Sequence, residues 1–108
     1  MPNVTFHIDA MRMPSDASLA ELSRDCVALC TTVLEAKIKN VHVMFLDVRH
    51  GYGHPVFADI QYRLETFRTP PVMNRFMEAL DSAIVRRTGL TARIRLFGYA
   101  ASNIHARN

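Results

Sequence analysis

The sequence predicts an α/β (α+β) fold: tandem β-α-β units forming a four-stranded mixed sheet with two helices on one face. Three observations predict it. Each half opens on an alternating strand, continues as an amphipathic helix and closes on a second strand. The halves match at an offset of 56, with Val4-Thr5-Phe6-His7-Ile8-Asp9 lying over Ile60-Gln61-Tyr62-Arg63-Leu64-Glu65. Each half also places Arg-x-Pro ahead of its helix, at Arg12-Met13-Pro14 and at Arg68-Thr69-Pro70. Right-handed crossovers would pair the strands of each half in parallel. The 108 residues suit one domain with a pseudo-repeat over 2–49 and 58–98.

In order, the first strand spans about Asn3 to Ala10. Val4, Phe6 and Ile8 share one face; Thr5, His7 and Asp9 share the other. Pro14 breaks the chain, and Ser15 or Asp16 caps the next helix, with Ser18 and Glu21 as an alternative capping box. Leu19, Leu22, Cys26, Leu29, Cys30 and Val33 recur at helical spacing, which predicts one helix over Asp16 to Ala36. Val41 to Val48 is apolar on both faces and is expected inside the sheet. Two glycines and a proline make Arg49 to Pro55 a loop or tight hairpin. The third strand is expected over Asp59 to Phe67. The second helix begins at Pro70-Pro71 after the cap Thr69 and stops at Gly89. Ala92 to Phe97 is the fourth strand, and the tail is mixed. Met44, Met73 and Met77 read as core packing.

Composition bounds the function. Hydrophobic content of 49% and charged content of 21% fit a globular chain with a small core. No apolar run is long enough to span a bilayer, and the start lacks signal-peptide form; a cytoplasmic protein is expected. Net charge is +3, which suits a small anionic substrate. Eleven arginines to two lysines favour carboxylate clamping, though base composition also produces such a bias. Cys26 and Cys30, one helical turn apart, read as reduced core residues. His50 and His54 lack the companions of a metal site, and no phosphate-binding glycine motif occurs; no cofactor and no metal are expected. Nucleic-acid binding is disfavoured because Phe6 and Tyr62 fall on core faces.

Pro2 carries the chemistry. Removal of Met1 would leave a secondary amine at the chain start. An α-amino group titrates near pH ~8, and burial or a nearby arginine lowers that value. Such an amine takes and returns protons near neutral pH, or attacks a carbonyl. The bland alternative is a proline that merely offers no amide hydrogen to a sheet edge.

With these features the chain resembles the tautomerase superfamily, whose members use an amino-terminal proline and are built from β-α-β units. Four local features carry the resemblance: Pro2 before the strand Val4 to Ile8; Arg12 after that strand, with Ser15-Asp16 opening the helix; Val41-His42-Val43; and Ala101-Ser102-Asn103-Ile104. In length the chain looks like the two-unit members of the migration inhibitory factor and 5-carboxymethyl-2-hydroxymuconate isomerase kind, which form trimers. The resemblance implies a homotrimer with sites between subunits. It implies Pro2 as base, Arg12 as carboxylate binder and Tyr52 near the pocket. His42 stands where short tautomerases have a second arginine, a departure that Arg49 would have to fill. Tyr99 stands in for an absent phenol, since Leu96 and Phe97 occupy the place of a strand tyrosine. Lys37 is the nearest match to a lysine beside the proline.

The expected activity is cofactor-independent tautomerisation of a small 2-oxo or unsaturated carboxylic acid. Arg12 or Arg49 would hold the carboxylate, and Tyr52, His42, Tyr99 or Asn103 would donate to the carbonyl oxygen. Protonated Pro2 would instead serve a hydratase, dehalogenase or decarboxylase, with Asp47 or Glu65 activating water. The rivals are a ferredoxin-like module and a non-catalytic trimer of the same fold.

Overall fold

The computed structural model describes residues 1–108. Strand β1 (Asn3–Asp9) leads through a 3-10 turn to helix α1 (Asp16–Thr32). A second 3-10 turn precedes β2 (His42–Val48). Then come β3 (Val56–Arg63), helix α2 (Pro70–Thr88), β4 (Ala92–Tyr99) and a last 3-10 turn at Ala101–Asn103. The sheet order is β2-β1-β3-β4. β1 pairs with β2 in parallel and β3 with β4 in parallel, while β1 and β3 run antiparallel at the centre. This is the expected mixed sheet. Val4 and Ile60, superposed by the sequence repeat, face each other across the central pair.

Alternation explains the core. Val4, Phe6 and Ile8 of β1 and Val56, Ala58 and Ile60 of β3 are essentially inaccessible. They meet Leu22, Cys26 and Cys30 of α1 and Phe76, Leu80 and Ile84 of α2. Phe6 stacks on Phe45 of β2 with ring centroids 5.2 Å apart. Both cysteines are free; the hydrogen bond between them, together with burial, pushes the Cys26 thiol up. On the helices' outer side Arg87 donates to Asp25 and Glu21, each at 2.8 Å, and Arg86 reaches Asp25 at 3.2 Å.

Caps follow the sequence. Ser15 Oγ accepts from the Ser18 N–H, satisfying one of the free amides that open a helix. Gly89 takes the left-handed conformation (φ 71°) and its N–H closes on Val85.

Five expectations need correction. Helix α1 stops at Thr32, not Ala36. The chain turns through Glu35 at φ 54°, and the Ala36 N–H reaches back to Cys30 O. No glycine announces that turn, and buried Leu34 prolongs the apolar period past Thr32. Strand β2 lies at a sheet edge, not inside. Its inner residues Val43 and Phe45 pack on the core, while Met44 and Leu46 on the other face are 46% and 40% exposed. Met44 is therefore not core packing, whereas Met73 is buried. Strand β3 starts at Val56 and ends at Arg63, because buried Val56 and Ala58 continue its inner face; residues 64–67 leave the sheet in a turn closed by Arg68 N–H to Glu65 O. Strand β4 runs on to Tyr99, and Leu64 N–H bonds Tyr99 O. Gly98 permits this: a Cβ there would lie 2.6 Å from Leu64 Cδ2 and 2.8 Å from Tyr62 Cζ.

Candidate active site

Pro2 immediately precedes β1, and the register decides its surroundings. Asn3 lies opposite His42 on one side and Gln61 on the other. Because β1 and β3 are antiparallel, the end of β3 arrives beside the start of β1. Arg63 comes with it, and Tyr99 lies opposite Arg63 on β4. The His42 N–H donates to Pro2 O at 3.1 Å, tying the start of the chain to β2. The Pro2 side chain is wholly buried.

Beside it opens a cleft of about 1150 Å³. Met1, Asn3, His42, Gln61, Arg63 and Tyr99 line it from the strands. The α1–β2 connection adds Lys37 and Lys39, the β3–α2 turn adds Glu65 and Arg68, and the tail adds Asn103 and Arg107. With Glu35 also present, five lysine and arginine side chains face two carboxylates, so the cleft favours anions.

Arg68 is the most firmly held of these cations. Its Nε donates to Leu34 O at 3.0 Å and its Nη1 to Arg63 O at 2.7 Å. Its guanidinium lies 5.3 Å from the Phe67 ring centroid. Burial pulls its pKa down, and Nη2 has no protein partner. The Met1 amine is also pulled down, first by burial and then by Arg63 and Arg68. The Met1 amine therefore holds more of its neutral, proton-accepting form.

The cleft gathers three of the seven candidates, His42, Tyr99 and Asn103, and a fourth, Pro2, lies buried between the lining residues Met1 and Asn3. The other three lie elsewhere. Arg12 ends the 3-10 turn beyond the far end of β1. Arg49 is exposed after β2, outside this cleft, and Tyr52 is fully exposed beside a second cavity. Arg68, noticed in the sequence only as the repeat partner of Arg12, stands where Arg12 was expected. The repeat itself held the signal. Antiparallel central strands set the second unit's Arg-x-Pro beside the first unit's proline.

No family model matches the chain, and no curated protein matches it in sequence. Solved structures do match in three dimensions. A macrophage migration inhibitory factor-like protein from Entamoeba histolytica superposes with a TM-score of 0.78 at 10% identity, over 98% of this chain and 95% of that one. A fused 4-OT, described as a wild-type symmetric trimer, gives 0.79 at 14% identity, over 98% and 93%. Malonate semialdehyde decarboxylase gives 0.74 at 13% identity, over 99% and 92%. Identities this low carry the fold and not the reaction. The chain has the fold of the tautomerase superfamily.

Proposed function

We propose that the protein is a cofactor-independent tautomerase acting on a small 2-oxo or unsaturated carboxylic acid. Pro2, exposed as an amine by loss of Met1, is the general base. One observation carries the reading: burial, then Arg63 and Arg68, pull the amine of Met1 toward neutrality, and an amine at the adjoining Pro2 would meet the same two cations. The same two arginines supply the anion clamp, with Nη2 of Arg68 and the unpaired Arg63 open to a carboxylate. The substrate carboxylate rests on these cations, and the proton to be moved lies at the Pro2 nitrogen. Tyr99, His42 and Asn103 are the donors available to the carbonyl oxygen as charge grows on it. Pro2 takes a proton from one atom of the enol and returns it to another, so no net charge leaves the site.

Assembly completes the reading. β2 and β4 are sheet edges, and Met44, Leu46 and Phe97 expose apolar surface on the face away from the helices. A homotrimer like the fused 4-OT would cover them and place each cleft beside a neighbour. Arg49 of that neighbour would then be free to reach it.

A second reading has its own observation. Glu65 lines the cleft, whereas Asp47 does not. A carboxylate beside a cationic Pro2 suits water activation, as in a hydratase or decarboxylase.

The test combines intact mass with keto-enol assays on phenylenolpyruvate and 2-hydroxymuconate. Loss of one methionine, with activity that rises as one group deprotonates and collapses in Pro2→Ala, supports the base. Retained methionine and an indifferent variant would refute it. Removed methionine without tautomerisation would favour the second reading.

A further inference from the structure

Helix α1 ends at Thr32 with no basic residue in its last turn, whereas α2 ends on Arg86 and Arg87. Beyond Thr32 the hydrogen-bond ladder of α1 loosens. The Val33 and Leu34 N–H groups share Leu29 O, at 2.9 and 3.4 Å, and the Ala36 N–H skips back to Cys30 O. In a continuing helix Leu34 O would accept from the Ile38 N–H. Here no backbone N–H reaches it, and Arg68 Nε takes that place at 3.0 Å. A cation from the second unit of the repeat thus closes the electronegative end of the first unit's helix. The Leu34 side chain is wholly buried, so the carbonyl that receives Arg68 is anchored in the core.

Glu35 is the residue that turns the chain at this point. Its φ of 54° lies in the left-handed region, where a Cβ crowds the backbone and glycine ordinarily sits. After α2 the same region is taken by Gly89, at φ 71°. The Glu35 side chain does nothing to offset the strain. It is exposed and joins no ion pair, although Lys37, Arg63 and Arg68 line the same cleft. A strained residue at the rim of a site, with no contact of its own to explain it, points to a demand on the backbone.

We propose that the left-handed turn at Glu35 is a positioning device for Arg68: it turns Leu34 O toward the guanidinium and so fixes the anion clamp beside Pro2. The inference rests on the clamp assigned to Arg68 above and adds Glu35 to it as a positioning residue. Glu35 acts through its backbone, and its carboxylate is dispensable. The second hold on Arg68, from Nη1 to Arg63 O, comes from β3 and survives a change at Glu35. Loss of the turn therefore loosens Arg68 without removing it from the cleft.

Two substitutions separate backbone from side chain. Glu35→Gly keeps the turn and removes the carboxylate, whereas Glu35→Val resists positive φ. The Arg68 Nε–H is identified as the side-chain magnetic resonance signal missing from Arg68→Lys. In Glu35→Gly it should exchange with solvent as slowly as in the parent, Tm should rise by a few degrees, and KM should stay within about twofold. In Glu35→Val the Nε–H should exchange faster and KM should rise by about tenfold with kcat little changed. Combined with Arg68→Lys, the valine substitution should add almost nothing further, because it acts through Arg68.

Circular dichroism establishes which variants fold. If Glu35→Val does not, Glu35→Gly decides alone: a raised KM or a faster Nε–H there would place the role in the carboxylate and overturn the proposal. A folded valine variant with the parent's KM and exchange rate would overturn it too, as would additive losses in the pair. A parent without turnover would refute the tautomerase reading and not this one, which the exchange rates decide by themselves.

Discussion

Arg68 Nη1 donates to the backbone carbonyl of Arg63 across 2.7 Å, so one arginine of the cleft is braced by the strand that presents the other. Arg68 is held by its Nε and one Nη, and Arg63 is left with its whole guanidinium free of acidic partners. A braced cation costs a ligand less ordering than a flexible one.

Arg68→Lys should therefore lower kcat/KM by about 10–100-fold, the range of one or two charge-assisted hydrogen bonds. The loss should fall mainly on KM. Arg12→Ala, at the opposite end of β1, should leave kcat/KM within about twofold. Steady-state kinetics on both variants, with circular dichroism to check folding, decides between them.

Arg63→Gln tests the electrostatics of the amine. Arg63 ranks after burial among the causes that pull the Met1 amine down, and the same charge faces the Pro2 amine once Met1 is lost. Removing it should raise that pKa, because a like charge no longer opposes protonation. The acid limb of the pH profile of kcat/KM should move to higher pH. An unmoved limb would mean that another group titrates there.

Asp25 bridges α1 and α2 through Arg87 and Arg86, and their hydrogen bonds and charge hold its carboxyl below the usual range. A carboxylate whose folded pKa is depressed stabilises the fold above its unfolded pKa, near ~3.9, and loses that contribution as pH falls through the folded value. Asp25→Asn should lower Tm at pH 7. The gap to the parent should close as pH drops below about 4. Thermal melts across that window measure it.

Gly98→Ala would set a methyl against Leu64 Cδ2 and the Tyr62 ring. Both are side-chain ends and can shift, so the change should cost about 1–3 kcal/mol without abolishing folding. Denaturant unfolding gives the value. Because β4 ends at Tyr99, the variant should also disturb the cleft.

Much of this fold was legible in the sequence. The alternation of Val4, Phe6 and Ile8 set the core face of β1, and Thr69, Pro70 and Gly89 marked both ends of α2. The end of α1 was not legible, since its left-handed residue is Glu35 and not a glycine. Nor was the edge position of β2. Apolar residues on both faces read as a buried strand, yet Met44 and Leu46 face outward. At the cleft, Pro2 was legible by position alone. Arg68 was not, because its nearness depends on β1 and β3 pairing antiparallel, a relationship that no local pattern records. The position of Tyr52 beside the second cavity was not legible either: an aromatic in a loop carries no mark of which end of the sheet that loop closes.

The hydrogen bond from His42 to Pro2 O has a consequence in time. An aminopeptidase must draw the first residues into its own groove as a free, extended strand. Once β1 has paired with β2 and Pro2 is sealed into the interior, those residues are no longer available. Trimming of Met1 thus races against folding, and the ribosome's exit is where the race is run. A chain that folds first presents Met1 at the rim of the cleft on a strand already paired, and it should be trimmed more slowly. Slow translation or abundant aminopeptidase would favour the trimmed form, and rapid overexpression would leave a larger untrimmed fraction.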